Sequence, residues 1–362
     1  MIPTFKNIHL KFELDGIYFD REALKEVAYS FVKEGKPHEQ TIGDFLIDWL
    51  DEKTYVEVLT SGSTGTPKPI RLDKQAMIHS ALATGDFFGI RPGNSALQCL
   101  PSNFIAGKMM LVRAMILGLS LDLVAPTSNP LANLEKHYDF CAMIPLQVEN
   151  SLENLAKIDT LIVGGAPVSS ALLESLQDVS TKVFATYGMT ETITHIAAKL
   201  LNHLSEGKKA NYQTLPNIHI STDDRDCLVV DAPRISAEKI VTNDVVELIS
   251  ETEFVWLGRH DNVINSGGIK LHPEQLEEKL STIINTRFFM TPTADAQLGE
   301  KLILILEDTA QNIDTSAILK SITDSKKFSK FEIPKAIYIV EKFTETETGK
   351  VQRAQTVATL NL

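Results

Sequence analysis

Between residues 55 and 188, short apolar runs alternate with helical patterns, and three of those runs lead straight into a glycine-containing loop. "YVEVL" (55–59) precedes "TSGSTG", "TLIVGGA" (160–166) carries "GGAP", and "KVFATYG" (182–188) opens "YGMTE". Between them lie a helix capped by Asp73, a strand "ALQCL" (96–100), a helix around 107–117, strands "SLDLV" (120–124) and "DFCAMI" (139–144), and a helix from Ser169. Strands separated by helices predict a mostly parallel sheet covered on both faces. Ligands of such sheets bind at the carboxyl ends of strands, which is where all three loops fall.

The flanks differ from this centre. Ile8, Leu10, Phe12 and Leu14 alternate as a strand does, and Asp20 then caps a helix whose Leu24, Val27, Ala28, Phe31 and Val32 keep helical spacing up to Gly35. From about residue 212, "CLVVDA" and "KIVTNDVVELI" predict a β-rich segment. After "FVWLGRHDN" (254–262) come a hairpin "VINSGGIKL", a helix opened by Pro273, a strand "KLILILE", a helix near 315–325 and a strand "AIYIV". The fold class expected is α/β: a large N-terminal unit, residues 1–260, of mostly parallel sheet plus a β-rich subdomain, and a small mobile α+β unit, residues 261–362.

Composition excludes some functions. A formal net charge of −12 repels nucleic acid and anionic lipid, so a negatively charged ligand must be held by local cations. Cys99, Cys141 and Cys227 are odd in number and far apart, which favours a reducing cytoplasm over a disulfide or zinc framework. The opening "MIPTFKNIHLKF" has no signal pattern, and the longest apolar run (109–124) contains Arg113 and Asp122, so neither targeting nor membrane insertion is expected.

The stretch "LTSGSTGTPKPI" (59–70) offers successive backbone N–H groups, the hydroxyls of Ser61, Ser63, Thr64 and Thr66, and the charge of Lys68, a set suited to phosphate oxygens. It is not a nucleotide-triphosphatase P-loop, because Pro67 stands where that motif needs its second glycine. A solvated turn has the same composition. The order of five motifs separates the two readings: "TSGSTGTPKP", "YGMTET" (187–192), Asp244, "GRHDNVINSGG" (258–268) and "TGKVQR" (348–353). This sequence resembles the adenylate-forming superfamily of acyl-CoA synthetases, adenylation domains and luciferases from about residue 55 onward.

That resemblance implies ATP, Mg²⁺ and coenzyme A as ligands and a small carboxylate as substrate. Carboxylate and α-phosphate repel by roughly 4 kcal/mol at about 4 Å and an effective dielectric of about 20, so a cation must lie between them. The resemblance assigns that role to Lys350, on the mobile C-terminal unit. Thr60, Ser61, Gly62, Ser63, Thr64, Gly65 and Lys68 would hold the departing pyrophosphate, and Glu191, beside Thr190, would carry Mg²⁺. Adenosine would lie between the turn of Gly164, Gly165 and Ala166 and the face of Tyr187, next to Gly188, with Asp244 and Arg259 on the ribose. Asp261 would be the hinge, and Gly267 and Gly268 would line the path of the entering thiol. Without the resemblance, "TE" reads equally as a helix cap, "TNDVVE" as a surface turn and the two glycines as a hairpin turn. The family's glycine before the ribose aspartate is Asn243 here, and its second acid after the hinge is Asn262.

Phe104 and Ile105 would wall the acyl pocket. Lys108, with Arg113 in the same apolar stretch, and His195 would suit a second carboxylate or a carbonyl on the substrate, unless the two cations snorkel from their helix. "IAGKMMLVRAMILG", "IPLQ" and "ATYGMTETITHIA" are most similar to compact bacterial o-succinylbenzoate:CoA ligases of menaquinone biosynthesis. The short region ahead of the phosphate loop leaves part of the pocket wall absent or supplied by a second copy, as in a homodimer. A carrier-protein thiol as acceptor and a non-catalytic nucleotide-binding protein are the competing readings.

Overall fold

The computed structural model describes residues 2–59, 69–205, 210–309, 312–345 and 351–360. Their largest element is a 13-stranded sheet. Six of its strands run parallel in the spatial order Glu13–Leu14, Ser120–Leu123, Ser95–Gln98, Tyr138–Met143, Ile158–Val163, Lys182–Gly188. Registers such as Ala142 opposite Ile162 and Val163 opposite Ala185 bring the carboxyl ends of these strands to one edge. Beyond Gly188 the direction reverses. His195–Leu200 pairs antiparallel with Lys182–Gly188, and Tyr212–Thr214, Glu253–Arg259, Ile240–Ser250, Cys227–Asp231 and His219–Thr222 continue antiparallel to the far end. The β-rich segment is therefore an extension of the parallel sheet.

The helix Ile105–Leu117 forms the centre of the core. All but its first two residues and Lys108 are buried, so it shows no polar face, and each fully buried Leu, Met or Val contributes about 1.5–3 kcal/mol. The helix Lys74–Phe88 packs beside it, capped by Asp73. Asp20 caps Arg21–Glu34 and Ser169 caps Ser170–Ser175, as their sequences predict.

Several elements of the N-terminal unit depart from expectation. The alternation from Ile8 yields only the strand Glu13–Leu14, because the Phe12 amide donates to the His9 carbonyl and closes a turn. The helix Pro37–Leu50 is an addition, burying Ile42, Phe45, Leu46, Trp49 and Leu50. Finally, Pro69–Asp73 pairs antiparallel with Tyr55–Leu59 as a separate two-stranded sheet, so a strand intervenes before the helix begins.

The smaller C-terminal unit holds a five-stranded sheet that includes Ile264–Ser266, Ile269–Leu271, Phe288–Asp295, Gly299–Glu307 and Ala336–Val340, with the helices Pro273–Leu280, Thr315–Asp324 and Arg353–Ala358. Leu276, Leu280, Met290, Leu302, Leu304 and Ile322 are among its own buried core. No helix among the described residues is long and apolar enough to cross a membrane.

Candidate active site

Two loops and one strand meet at the edge where the sheet reverses. Gly164 follows Ile158–Val163 and donates its amide to the Met143 carbonyl; Gly165, with φ of +85°, then turns the chain through Ala166. Tyr187 and Gly188 close the neighbouring strand, and Thr190–Thr192 is a single tight turn. Gly188 has no room for a side chain, since a Cβ would collide with the Thr194 carbonyl and the His195 backbone. The turn is strained at Ile193, whose φ of +68° is costly for a β-branched residue. Thr192 holds it: its hydroxyl accepts from the Met189 amide at 2.9 Å and donates to the Thr194 carbonyl at 2.8 Å.

Asp244 lies inside the strand Ile240–Ser250, 6% exposed, which rules out the surface turn that "TNDVVE" also permits. Tyr187 donates its hydroxyl to Asp244 Oδ2 at 2.6 Å, the Trp256 indole donates to Oδ1 at 3.2 Å, and Arg259 Nη1 stands 3.7 Å from Oδ1. Burial and then the Asp244 charge push the Tyr187 phenol up, so it remains a donor. The ring of Tyr187 packs edge-on to Phe254. Asn243 accepts from Arg225 at 2.9 Å and donates to Asp261 at 3.3 Å. Asp261 also faces Arg259 at 3.6 Å. Asn262 donates to Glu274 at 2.5 Å.

Behind the Met189–Thr194 turn is a second polar group. Arg113 does not snorkel: it is 1% exposed, with Nε 3.4 Å from Thr84 Oγ1 and Nη2 3.4 Å from both Thr194 Oγ1 and His195 Nδ1. Its donation to Nδ1 assigns the His195 proton to Nε2, which faces Thr84 Oγ1 at 3.4 Å, while the Thr84 hydroxyl donates its own hydrogen bond to the Ser80 carbonyl. Burial, then the Arg113 charge, hold His195 well below the ordinary imidazole range and therefore neutral. No carboxylate neutralises Arg113 among the described residues. A buried guanidinium with long neutral bonds is one partner short.

Other expected residues fall elsewhere. Lys108 turns from this group to lie over the Phe45 ring, 5.0 Å from its centroid, on the side of Asp44 and Asp48. Phe104 precedes the central helix and is 48% exposed; Ile105 is half-buried against the main core. Gly267 and Gly268 occupy the turn between Ile264–Ser266 and Ile269–Leu271, with φ of +59° and +83°, conformations that a tight hairpin turn demands. Residues 60–68 and Lys350 lie outside the described residues. Glu191 is exposed and presents one carboxylate. No group of three or more His, Cys, Asp or Glu converges among the described residues. A single acid nevertheless fits a magnesium ion carried on phosphates, which keeps most of its waters.

Residues 50–233 match the AMP-binding enzyme family. The chain belongs to that family. This AMP-binding enzyme is 26% identical over 347 residues to a probable 2-succinylbenzoate–CoA ligase of Mycobacterium tuberculosis, covering 88% of each chain. It is 35% identical to an acyl-CoA synthetase (AMP-forming)/AMP-acid ligase II-like protein from Dyadobacter fermentans, with a TM-score of 0.61 over 93% of this chain and 98% of that one. The o-succinylbenzoate coenzyme A synthetase (MenE) of Bacillus subtilis, solved with ATP and magnesium, shares the fold at a TM-score of 0.73, 18% identity, and coverage of 94% and 83%.

The composition of the sequence hides Trp256 and Thr84, which it presents as ordinary core residues. Arg113 did carry a signal, a cation in the middle of an otherwise apolar helix.

Proposed function

We propose that this chain is an ATP-dependent carboxylic acid:CoA ligase acting through an acyl-adenylate. The observation that carries the reading is the convergence at one sheet edge of the Gly164–Gly165 turn, the Glu191 turn and the buried, donor-ringed Asp244. Adenine would lie by Tyr187 and the ribose hydroxyls on Asp244. In the first half-reaction a substrate carboxylate oxygen attacks the α-phosphorus and the bond to pyrophosphate breaks, Lys68 and the loop hydroxyls taking up the charge that moves onto the leaving group. Magnesium, when bound, offsets phosphate charge, and Glu191 would hold it. Lys350 would offset the repulsion between the two anions. In the second half-reaction a thiolate attacks the acyl carbon and AMP leaves.

Two reactions with opposite needs at one edge imply a moving part. The large sheet ends at Arg259 and the small one starts at Ile264, so a pivot at Asp261, between units 1–260 and 261–362, divides the chain where no strand would have to break.

The substrate proposed is o-succinylbenzoate or a similar aromatic dicarboxylate, because a second carboxylate would supply the anion that Arg113 lacks. The similarity to a 2-succinylbenzoate–CoA ligase supports this. Product analysis by mass spectrometry tests it, with Mg²⁺, ATP and o-succinylbenzoate beside aromatic and aliphatic monoacids, with CoA or a carrier-protein thiol as acceptor. AMP and a CoA thioester from the dicarboxylate are expected. Turnover of monoacids alone would overturn the substrate, and AMP from no acid would overturn the reaction.

A further inference from the structure

We propose that Trp256 is a positioning residue for the nucleotide site, fixing the Asp244 carboxylate in the orientation that reads the ribose hydroxyls. The proposal rests on the assignment of Asp244 to the ribose. A carboxylate on a strand is free to rotate about its last side-chain bond unless both oxygens are held. Here Tyr187 holds Oδ2 at 2.6 Å and the indole N–H holds Oδ1 at 3.2 Å, from two different strands, Lys182–Gly188 and the adjacent Glu253–Arg259. Arg259, at 3.7 Å from Oδ1, is too distant to direct it by hydrogen bonding. Each oxygen still has a lone pair free after these bonds, so a 2′- and a 3′-hydroxyl can each donate to the preset group.

Two further features set Trp256 apart from a filler of the core. Trp256 stands across the antiparallel pair from Val246, two positions beyond Asp244, where the register slips between Val245 and Val246. That irregularity turns an alternating strand locally and lets a side chain reach a neighbour that strict pairing would separate. The Trp256 carbonyl also accepts from Gln275 Nε2 at 3.0 Å, on the helix Pro273–Leu280. The residue that orients Asp244 is thereby held from the C-terminal unit as well.

The test compares binding of AMP and of 2′,3′-dideoxy-AMP to wild type and to Trp256→Phe by calorimetry. Phenylalanine keeps an aromatic ring and removes the N–H. Loss of a hydrogen bond to a charged group is expected to lower AMP affinity about tenfold while leaving dideoxy-AMP within about twofold, so that ribose discrimination collapses. An equal fall for both nucleotides would assign Trp256 a purely structural role and overturn the proposal. Retained discrimination would overturn it too. Wild type that binds AMP and dideoxy-AMP equally would overturn the ribose assignment beneath it. If the variant does not fold, Trp49→Phe leaves Trp256 as the sole indole of the chain; its emission must then change with AMP and not with dideoxy-AMP, and an equal response to both overturns the proposal.

Discussion

Replacing Glu277 by glutamine should remove a defined part of the protein's pH dependence. The carboxylate accepts from the Met290 amide at 2.7 Å and from Arg353 at 2.8 Å, yet burial outweighs both, and Glu274 adds repulsion, so its pKa is pushed up to about 7 from an ordinary 4.5. A carboxyl that holds its proton more tightly when folded contributes stability that is full below the unfolded value and lost as pH rises to the folded one. Over the interval from 4.5 to about 7, at about 1.4 kcal/mol per pH unit, that contribution amounts to about 3 kcal/mol. Glutamine keeps the shape and an acceptor for Met290 and cannot ionise. Equilibrium urea unfolding of wild type and Glu277→Gln across about pH 4 to 8 is the assay. Wild-type stability relative to the variant should fall by about 3 kcal/mol over that window. A difference that stays flat, or rises with pH, would show that Arg353 rather than burial controls the group.

Lys350→Ala should abolish adenylation and leave thioester formation from supplied acyl-adenylate largely intact; equal loss of both half-reactions, measured separately, would refute the role of that lysine. Arg113→Met should raise KM for the dicarboxylate by about ten- to a hundredfold, the worth of a charge-assisted hydrogen bond, with KM for ATP unchanged. The same variant should be no less stable to heat than wild type, because an unpaired buried cation is replaced by an apolar chain of similar length. Gly188→Ala should lower stability by about 1–3 kcal/mol and depress adenylation, since its Cβ would displace the Thr194 carbonyl; an unchanged melting temperature would refute that packing.

Local signals made most of this fold legible. Asp20, Asp73 and Ser169 announce helices because a short acceptor side chain satisfies amides that nothing else reaches. "KVFATYG" is a strand from first to last residue. The strand Phe288–Asp295 escaped because Pro292 reads as a breaker; it is tolerated because, among the described residues, this strand pairs only with Gly299–Glu307 and stands at an edge. Motif order brought Tyr187, Glu191, Asp244 and Arg259 into view. It could not bring in Trp256, whose contribution depends on a register slip between strands, or the isolation of Arg113, which depends on which side chains are absent around it. Lys108 and Arg113 look alike in the sequence, and only packing sends one to the Phe45 ring and the other into the interior.

Among the described residues, the antiparallel pair Tyr55–Leu59 and Pro69–Asp73 shares no strand pairing with the 13-stranded sheet. Its amides can therefore exchange with solvent through an opening that leaves the large sheet whole, whereas those of Tyr138–Met143, bonded on both sides, require far more of the protein to come apart. The protein would in this way keep two clocks. A fast one governs the paired strands Tyr55–Leu59 and Pro69–Asp73, and a slow one governs the scaffold proposed to hold adenosine.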